Sequence, residues 1–144
     1  MPDGVVAANG LVDTGAILAL LDRGDRWHTR CAEAFTELRL PLATSAAILA
    51  ELFHLLKDEP RDVAAAWGLL RSGAITVLPI DDGDLADLEA LMKRHADRPM
   101  DFADATLVHL AQRERLNIVF TVDNADFETY RIDGRRRFRI VPGR

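Results

Sequence analysis

Short apolar runs alternate with longer helical segments along nearly the whole chain, and this alternation is the feature that most restricts its fold. Leu11-Val12 closes a short apolar run, and Thr14–Leu21 after it reads as a helix. Residues 28–38 form a second helical stretch, with Cys31, Ala34, Phe35 and Leu38 on one face. Strands are expected at 40–44, 74–80, 117–122 and 137–141, and helices at 45–57, 61–71, 82–96 and 101–115. Residues 126–130 read as a turn or short helix. Pro60 and Pro99 break helical runs, and Gly73 is a suitable residue just past a helix end. Such alternation predicts an α/β fold whose mostly parallel sheet is covered by helices on both faces. Ligands of such sheets bind at the carboxyl ends of the strands. Polar residues just past a strand's last apolar residue are therefore site candidates.

Composition narrows the class. The chain has 144 residues, 49% of them hydrophobic and 28% charged, which predicts one globular domain over 1–144, with 1–10 a short N-terminal extension. A single cysteine, Cys31, excludes an internal disulfide and any zinc site or iron–sulfur cluster built from cysteines. No apolar run reaches the roughly 18 residues of a membrane span, and residues 1–10 lack the basic start of a signal peptide. A cytoplasmic location is expected, with no membrane partner. The net charge of −5 argues against a nucleic-acid partner at first. However, six arginines and one aspartate fall within residues 131–144, so the body is more acidic than the total suggests.

The acidic excess has a pattern. Asp13 follows Leu11-Val12, and Asp123 follows the apolar run that ends at Val122. If these strands are parallel neighbours, their carboxylates meet at one edge; alternatively, each caps the helix or turn that follows. Glu51 has Ala47, Ile48 and Leu55 one turn away and no basic neighbour there, so it either serves a site or sits at the edge of an apolar stripe. Asp101 and Asp104 share one face at the start of a helix. Asp101 also suits an N-cap, whereas Asp104 precedes the apolar Ala105, Leu107, Val108 and Leu110. Asp81 and Asp84 have the same spacing and are assigned to capping. Gathering several carboxylates is unfavourable unless a cation joins them. An all-oxygen set without thiolate selects Mg²⁺ or Mn²⁺. His28, His54, His95 and His109 show no metal-ligand spacing and read as solvated or core-edge residues.

Val12-Asp13-Thr14-Gly15-Ala16, Ala50-Glu51-Leu52, Asp101-Phe102-Ala103-Asp104-Ala105 and Thr121-Val122-Asp123-Asn124-Ala125-Asp126-Phe127 together resemble the acidic motifs of PIN-domain nucleases, in order and spacing. The resemblance runs from about Leu11 to Pro142. Length and compactness look most like the VapC toxins of bacterial type II toxin–antitoxin pairs. The resemblance implies a three-layer α/β/α PIN-like fold with a five-stranded, mostly parallel sheet, and an endoribonuclease dependent on Mg²⁺ or Mn²⁺. It implies Asp13, Glu51, Asp104 and Asp123 as catalytic acids, with Asp13, Asp101, Asp104 and Asp123 as metal ligands. Thr14 and Thr121 stand where small hydroxyl residues flank the family's site, and Gly15 stands where many members have Ser. Asp126 is either an extra acid of the site or a cap for the turn, and the cap is the preferred reading. The implied partners are RNA, a cognate antitoxin and a second copy of the chain; no interface residues are assigned.

The expected reaction is in-line hydrolysis of RNA by water, leaving a 5′-phosphate and a 3′-hydroxyl. Arg23, Arg26, Arg98, Arg131, Arg135, Arg136 and Arg137 are candidate RNA contacts. A receiver-like domain would need a lysine after a late strand, and Lys57 and Lys93 both lie in helical segments. A haloacid-dehalogenase-type phosphatase would need an Asp at position 15, where the chain has Gly. An RNA-processing nuclease that is not a toxin, and a non-catalytic metal- or RNA-binding module, share the implied fold.

Overall fold

The structure is a computed structural model that describes residues 7–144; most of the extension expected over 1–10 lies outside the described residues. β1 (Leu11–Val12) leads into α1 (Thr14–Leu21) and α2 (His28–Glu37), and β2 (Leu42–Thr44) into α3 (Ala46–Leu56) and α4 (Pro60–Arg71). β3 (Ile75–Val77) is followed by a 3-10 turn at Asp82–Asp84, α5 (Leu85–Arg94) and α6 (Phe102–Glu114). β4 (Ile118–Thr121) is followed by α7 (Asn124–Thr129), β5 (Arg131–Ile132), β6 (Arg136–Arg137) and β7 (Arg139–Pro142).

Five strands form one sheet in the order β3-β2-β1-β4-β7, and every pairing is parallel. Leu11 lies opposite Ala43 and Val119, and Val12 opposite Phe120. Alternate residues of a strand point to opposite faces. Leu11, Ala43 and Val119 thus pack with Leu88, Leu107 and Phe127 from α5, α6 and α7. Val12, Leu42 and Phe120 pack with Ile17, Cys31 and Ala66 from α1, α2 and α4. This is the three-layer α/β/α arrangement expected from the sequence. Burial on both faces explains why the strands read as short continuous apolar runs rather than alternating ones. The chain builds outward from β1 through β2 to β3, then returns to the other side of β1 with β4. The order reverses between β1 and β4, which is where open parallel sheets carry their crevice.

Element edges differ from expectation for local reasons. β3 stops at Val77 because Pro79 has no N–H to give a ladder. The expected strand over 137–141 is divided. Arg136–Arg137 pairs antiparallel with Arg131–Ile132 around Asp133 and Gly134, both at positive φ. Phe138 is buried between this ribbon and β7. The arginine run is therefore an exposed hairpin.

Asp84 does more than the capping expected of it, and His109 is not at the core edge but inside. The Asp84 carboxylate accepts from the Asp81 N–H at 2.9 Å, His109 Nε2 at 2.7 Å and Arg113 Nη1 at 3.1 Å. The Asp81 N–H first, then His109 and Arg113, hold its carboxyl well below the usual carboxylate range. Asp84 and His109 are both buried, and the trio fastens α6 to the start of α5. Truncating one partner of a buried charged pair leaves the others uncompensated. Asp84→Ala is expected to lower unfolding free energy by about 3 kcal/mol, read as an earlier urea midpoint at unchanged slope.

Candidate active site

Three acids, at the carboxyl ends of β1 and β4 and the start of α6, are set by helix caps. Asp13, just past β1, accepts from the Thr14 N–H at 2.8 Å through Oδ1 and caps α1. Its Oδ2 accepts from the Thr121 hydroxyl at 3.0 Å. That hydroxyl also accepts from the Asp123 N–H at 2.9 Å, so the last residue of β4 fastens both acidic loops together. Asp123 Oδ1 accepts from the Asp126 N–H at 3.1 Å and caps α7. Asp101 Oδ1 accepts from the Asp104 N–H at 2.7 Å and caps α6. In each case one carboxylate oxygen serves the backbone, and capping does not exclude a role in the site.

The acids come together from distant parts of the chain. Asp104, Asp123 and Asp126 each offer a carboxylate oxygen within 4.8 Å of the others. Asp13 lies beside them: after burial, its charge is the largest influence on Asp104. The Tyr130 hydroxyl donates to Asp104 Oδ2 at 2.8 Å. Glu51 is exposed on α3, and its charge is felt at Asp13. Leu55, expected beside it on an apolar stripe, is 55% exposed. The buried stripe is Ile48, Leu52 and Leu56, a phase that leaves Glu51 at its border.

Electrostatically the cluster is frustrated without a cation. Burial, against hydrogen bonds from Thr14 and Thr121, pushes Asp13 up to about 6, with Glu51 and Asp123 adding repulsion. Burial and then Asp13 push Asp104 to about 7, although Tyr130 opposes this. Burial and Asp123 raise Asp126, while Arg98, 3.4 Å from it, lowers it. Thr14 Oγ1 and Asn124 Oδ1 are buried with no hydrogen-bond partner among the described residues. Carboxylates at this spacing, with Asp13 and Asp104 pushed toward the neutral form, beside unpaired buried oxygens, fit a hard divalent cation.

Two site features differ from the expectation or lie beyond it. Of the two readings of Asp126, the preferred cap falls to Asp123, and the Asp126 carboxylate lies in the cluster as the added acid would. Its spacing to Asp123, matching that of Asp101 and Asp104, is the signal the sequence offers. Tyr130, the chain's one tyrosine, leaves no signal because its contact to Asp104 depends on how α7 packs against α6. Gly15 has a steric reason: a Cβ there would come within 2.7 Å of Val122 Cγ2. Among the other candidate contacts, Arg131 is spent on the carbonyls of Glu128, Thr129 and Tyr130, and Arg136 pairs with Asp133. A cleft of about 790 Å³ opens near Asn9, Ile118 and Arg139, and none of Asp13, Asp104, Asp123 and Asp126 lines it.

Comparison with known proteins places this geometry. The model of the PIN domain family matches residues 10–132. The chain is 27% identical to Ribonuclease VapC26 of Mycobacterium tuberculosis, over 92% of this chain and 99% of the relative. The crystal structure of Mycobacterium tuberculosis VapC20, a Sarcin-Ricin loop cleaving toxin, is similar at a TM-score of 0.71 and 23% identity, over 81% of this chain and 91% of that one. A toxin–antitoxin complex from Klebsiella pneumoniae contains a chain similar at a TM-score of 0.63 and 22% identity, over 83% and 91%.

Proposed function

This chain belongs to the PIN domain family, and from that premise we propose that it is a metal-dependent endoribonuclease, the toxin of a toxin–antitoxin pair acting in the cytoplasm. The observation that carries the proposal is the convergence of Asp13, Asp104, Asp123 and Asp126 on one edge of the sheet, frustrated in a way a cation relieves. A ribonuclease relative aligned over nearly its whole length supports the choice of RNA.

Asp104, Asp123 and Asp126, with Asp13 beside them, would hold Mg²⁺ or Mn²⁺. When bound, the cation neutralises charge growing on a phosphodiester and acidifies water. The chain's own residues do the positioning. Thr121 holds Asp13 by its Oδ2 and the Asp123 loop by its N–H. Tyr130 fixes one oxygen of Asp104. Glu51, exposed and close enough to act on Asp13, orients the attacking water and receives its proton. Asp101 fixes the first turn of α6 and leaves one oxygen for the shell. The proposal extends to an antitoxin partner, in keeping with the complex from Klebsiella pneumoniae, and to a homodimer. Among the described residues no helix is long and apolar enough to cross a membrane.

Product ends test the chemistry. Wild-type protein with Mg²⁺ is expected to leave 5′-phosphate and 3′-hydroxyl ends, and to cut as well when the 2′-hydroxyl at the cleaved nucleotide is removed. Excess EDTA is expected to stop cleavage. Cyclic phosphate ends, or full activity in EDTA, would overturn the mechanism; intact RNA would leave a binding module.

A further inference from the structure

A second cleft, of about 460 Å³, adjoins the acids and carries the opposite charge. Residues 122–125, Asp123 among them, form one wall, and Arg26, Trp27, Arg30 and Arg144 form the rest. The guanidinium carbons of Arg26 and Arg30 lie 5.2 and 5.1 Å from the centre of the Trp27 ring. Trp27 is half-buried, its backbone N–H donates to Asp25 Oδ1 at 2.7 Å, and its ring packs against the α1–α4 side of the core. The platform under the two arginines is therefore fixed. Arg30 also donates to the Gly143 carbonyl at 2.8 Å, which draws the C-terminal residues to the cleft. Arg144 is paired with Glu128 at 2.6 Å, but among the described residues neither Arg26 nor Arg30 has a carboxylate partner.

Two guanidiniums without a carboxylate partner among the described residues, stacked on one indole next to a cluster of acids, offer a ready site for an anion. A polyanionic strand on an acidic protein needs fixed cations close to the reacting phosphate. Arginine suits the task because its planar fork matches phosphate oxygens and stacks on an aromatic face. The exposed hairpin arginines lack such a platform. We infer that the Arg26–Trp27–Arg30 cleft holds a backbone phosphate of the RNA next to the scissile one, and so sets the register in which the strand crosses the acids. This assignment rests on the nuclease reading above and adds to it a substrate-positioning subsite.

The test uses a 5′-labelled single-stranded RNA that the wild-type protein cleaves, with Mg²⁺, over a range of NaCl concentrations. Arg26→Ala/Arg30→Ala is expected to raise KM roughly tenfold or more, the weight of one charge-assisted hydrogen bond, with the effect falling on KM more than on kcat. The slope of log(1/KM) against log salt is expected to flatten by about 0.7, the value for the one single-strand phosphate that no longer meets a guanidinium. Arg26→Lys/Arg30→Lys keeps the charge and is expected to keep most of the slope while still raising KM. Arg135→Ala/Arg136→Ala/Arg137→Ala provides the comparison on the hairpin. Unchanged KM and slope in Arg26→Ala/Arg30→Ala, or a flattened slope only in the hairpin variant, overturns the subsite and leaves the nuclease reading standing. Unchanged RNA kinetics with weakened antitoxin binding assigns the cleft to a protein partner and also overturns it. A wild-type protein that cleaves no RNA with any divalent cation overturns both.

Discussion

Asp104→Asn is expected to cut RNA hydrolysis on the order of a thousandfold and, at pH 8 without metal, to make the folded protein more stable. The two effects have one cause. Asp104 is pushed to about 7 by burial and by Asp13, so at pH 8 it is mostly ionised in surroundings that oppose its charge. Asparagine removes the charge but keeps an oxygen that can accept from the Tyr130 hydroxyl. Discounted for partial exposure, the relief is on the order of 1 kcal/mol, or a few degrees in Tm. The carboxylate needed for cation binding is removed at the same time. Single-turnover cleavage and a melting curve in EDTA read the two effects separately. An ordinary structural residue would show activity and stability falling together. A melting temperature that drops in the variant, or activity that survives, would refute the assignment of Asp104 to the cation.

Much of this architecture can be read along the chain because both faces of the sheet are buried. Leu11-Val12 and the run before Val122 suit only inner strands, and Asp13 and Asp123 fall at their carboxyl ends. What cannot be read is which strands are neighbours. That β1 sits between β2 and β4 is a matter of tertiary packing, and on it depends whether Asp13 and Asp123 meet. Capping and site roles, rivals in sequence for Asp13, Asp101 and Asp123, prove compatible, since a carboxylate has two oxygens and the cap uses one. Glu51 shows the limit of helix periodicity: one step of phase on α3 separates the buried Leu52 from an exposed carboxylate. The pairing of Asp84 with His109 joins residues far apart in sequence, and nothing local distinguishes Asp84 from an ordinary cap. By charge alone the arginine run is the obvious RNA surface. Arg26 is a candidate from the sequence but Arg30 is not, and only the fold shows that both lie on the Trp27 ring beside Asp123.

Without metal, the protein is expected to grow more stable as pH falls from 8 to 5.5, and Mg²⁺ or Mn²⁺ is expected to raise its Tm far more at pH 8 than at 5.5. In the folded state Asp13 is raised to about 6 and Asp104 to about 7, against about 3.9 for an unfolded aspartate. Across that window the folded chain binds more protons than the unfolded one, so its stability must decrease with rising pH. Asp13 titrates near the acid end of the window and contributes about 1 kcal/mol over it; Asp104 titrates inside it and, discounted for partial exposure, adds a comparable amount. Asp84 acts with the opposite sign but lower down. Its depressed carboxyl adds stability above the unfolded value, and that is lost as pH falls below about 4. A stability maximum on the acid side of neutrality follows, between the two regimes. A divalent cation takes the place of the protons, stabilises the folded state by mass action, and must compete with them as pH drops. Melting curves in EDTA and in saturating Mn²⁺, taken at both pH values, give the sign directly. If metal-free stability rises toward pH 8, or the metal-induced shift is equal at both, Asp13 and Asp104 do not share one anionic site.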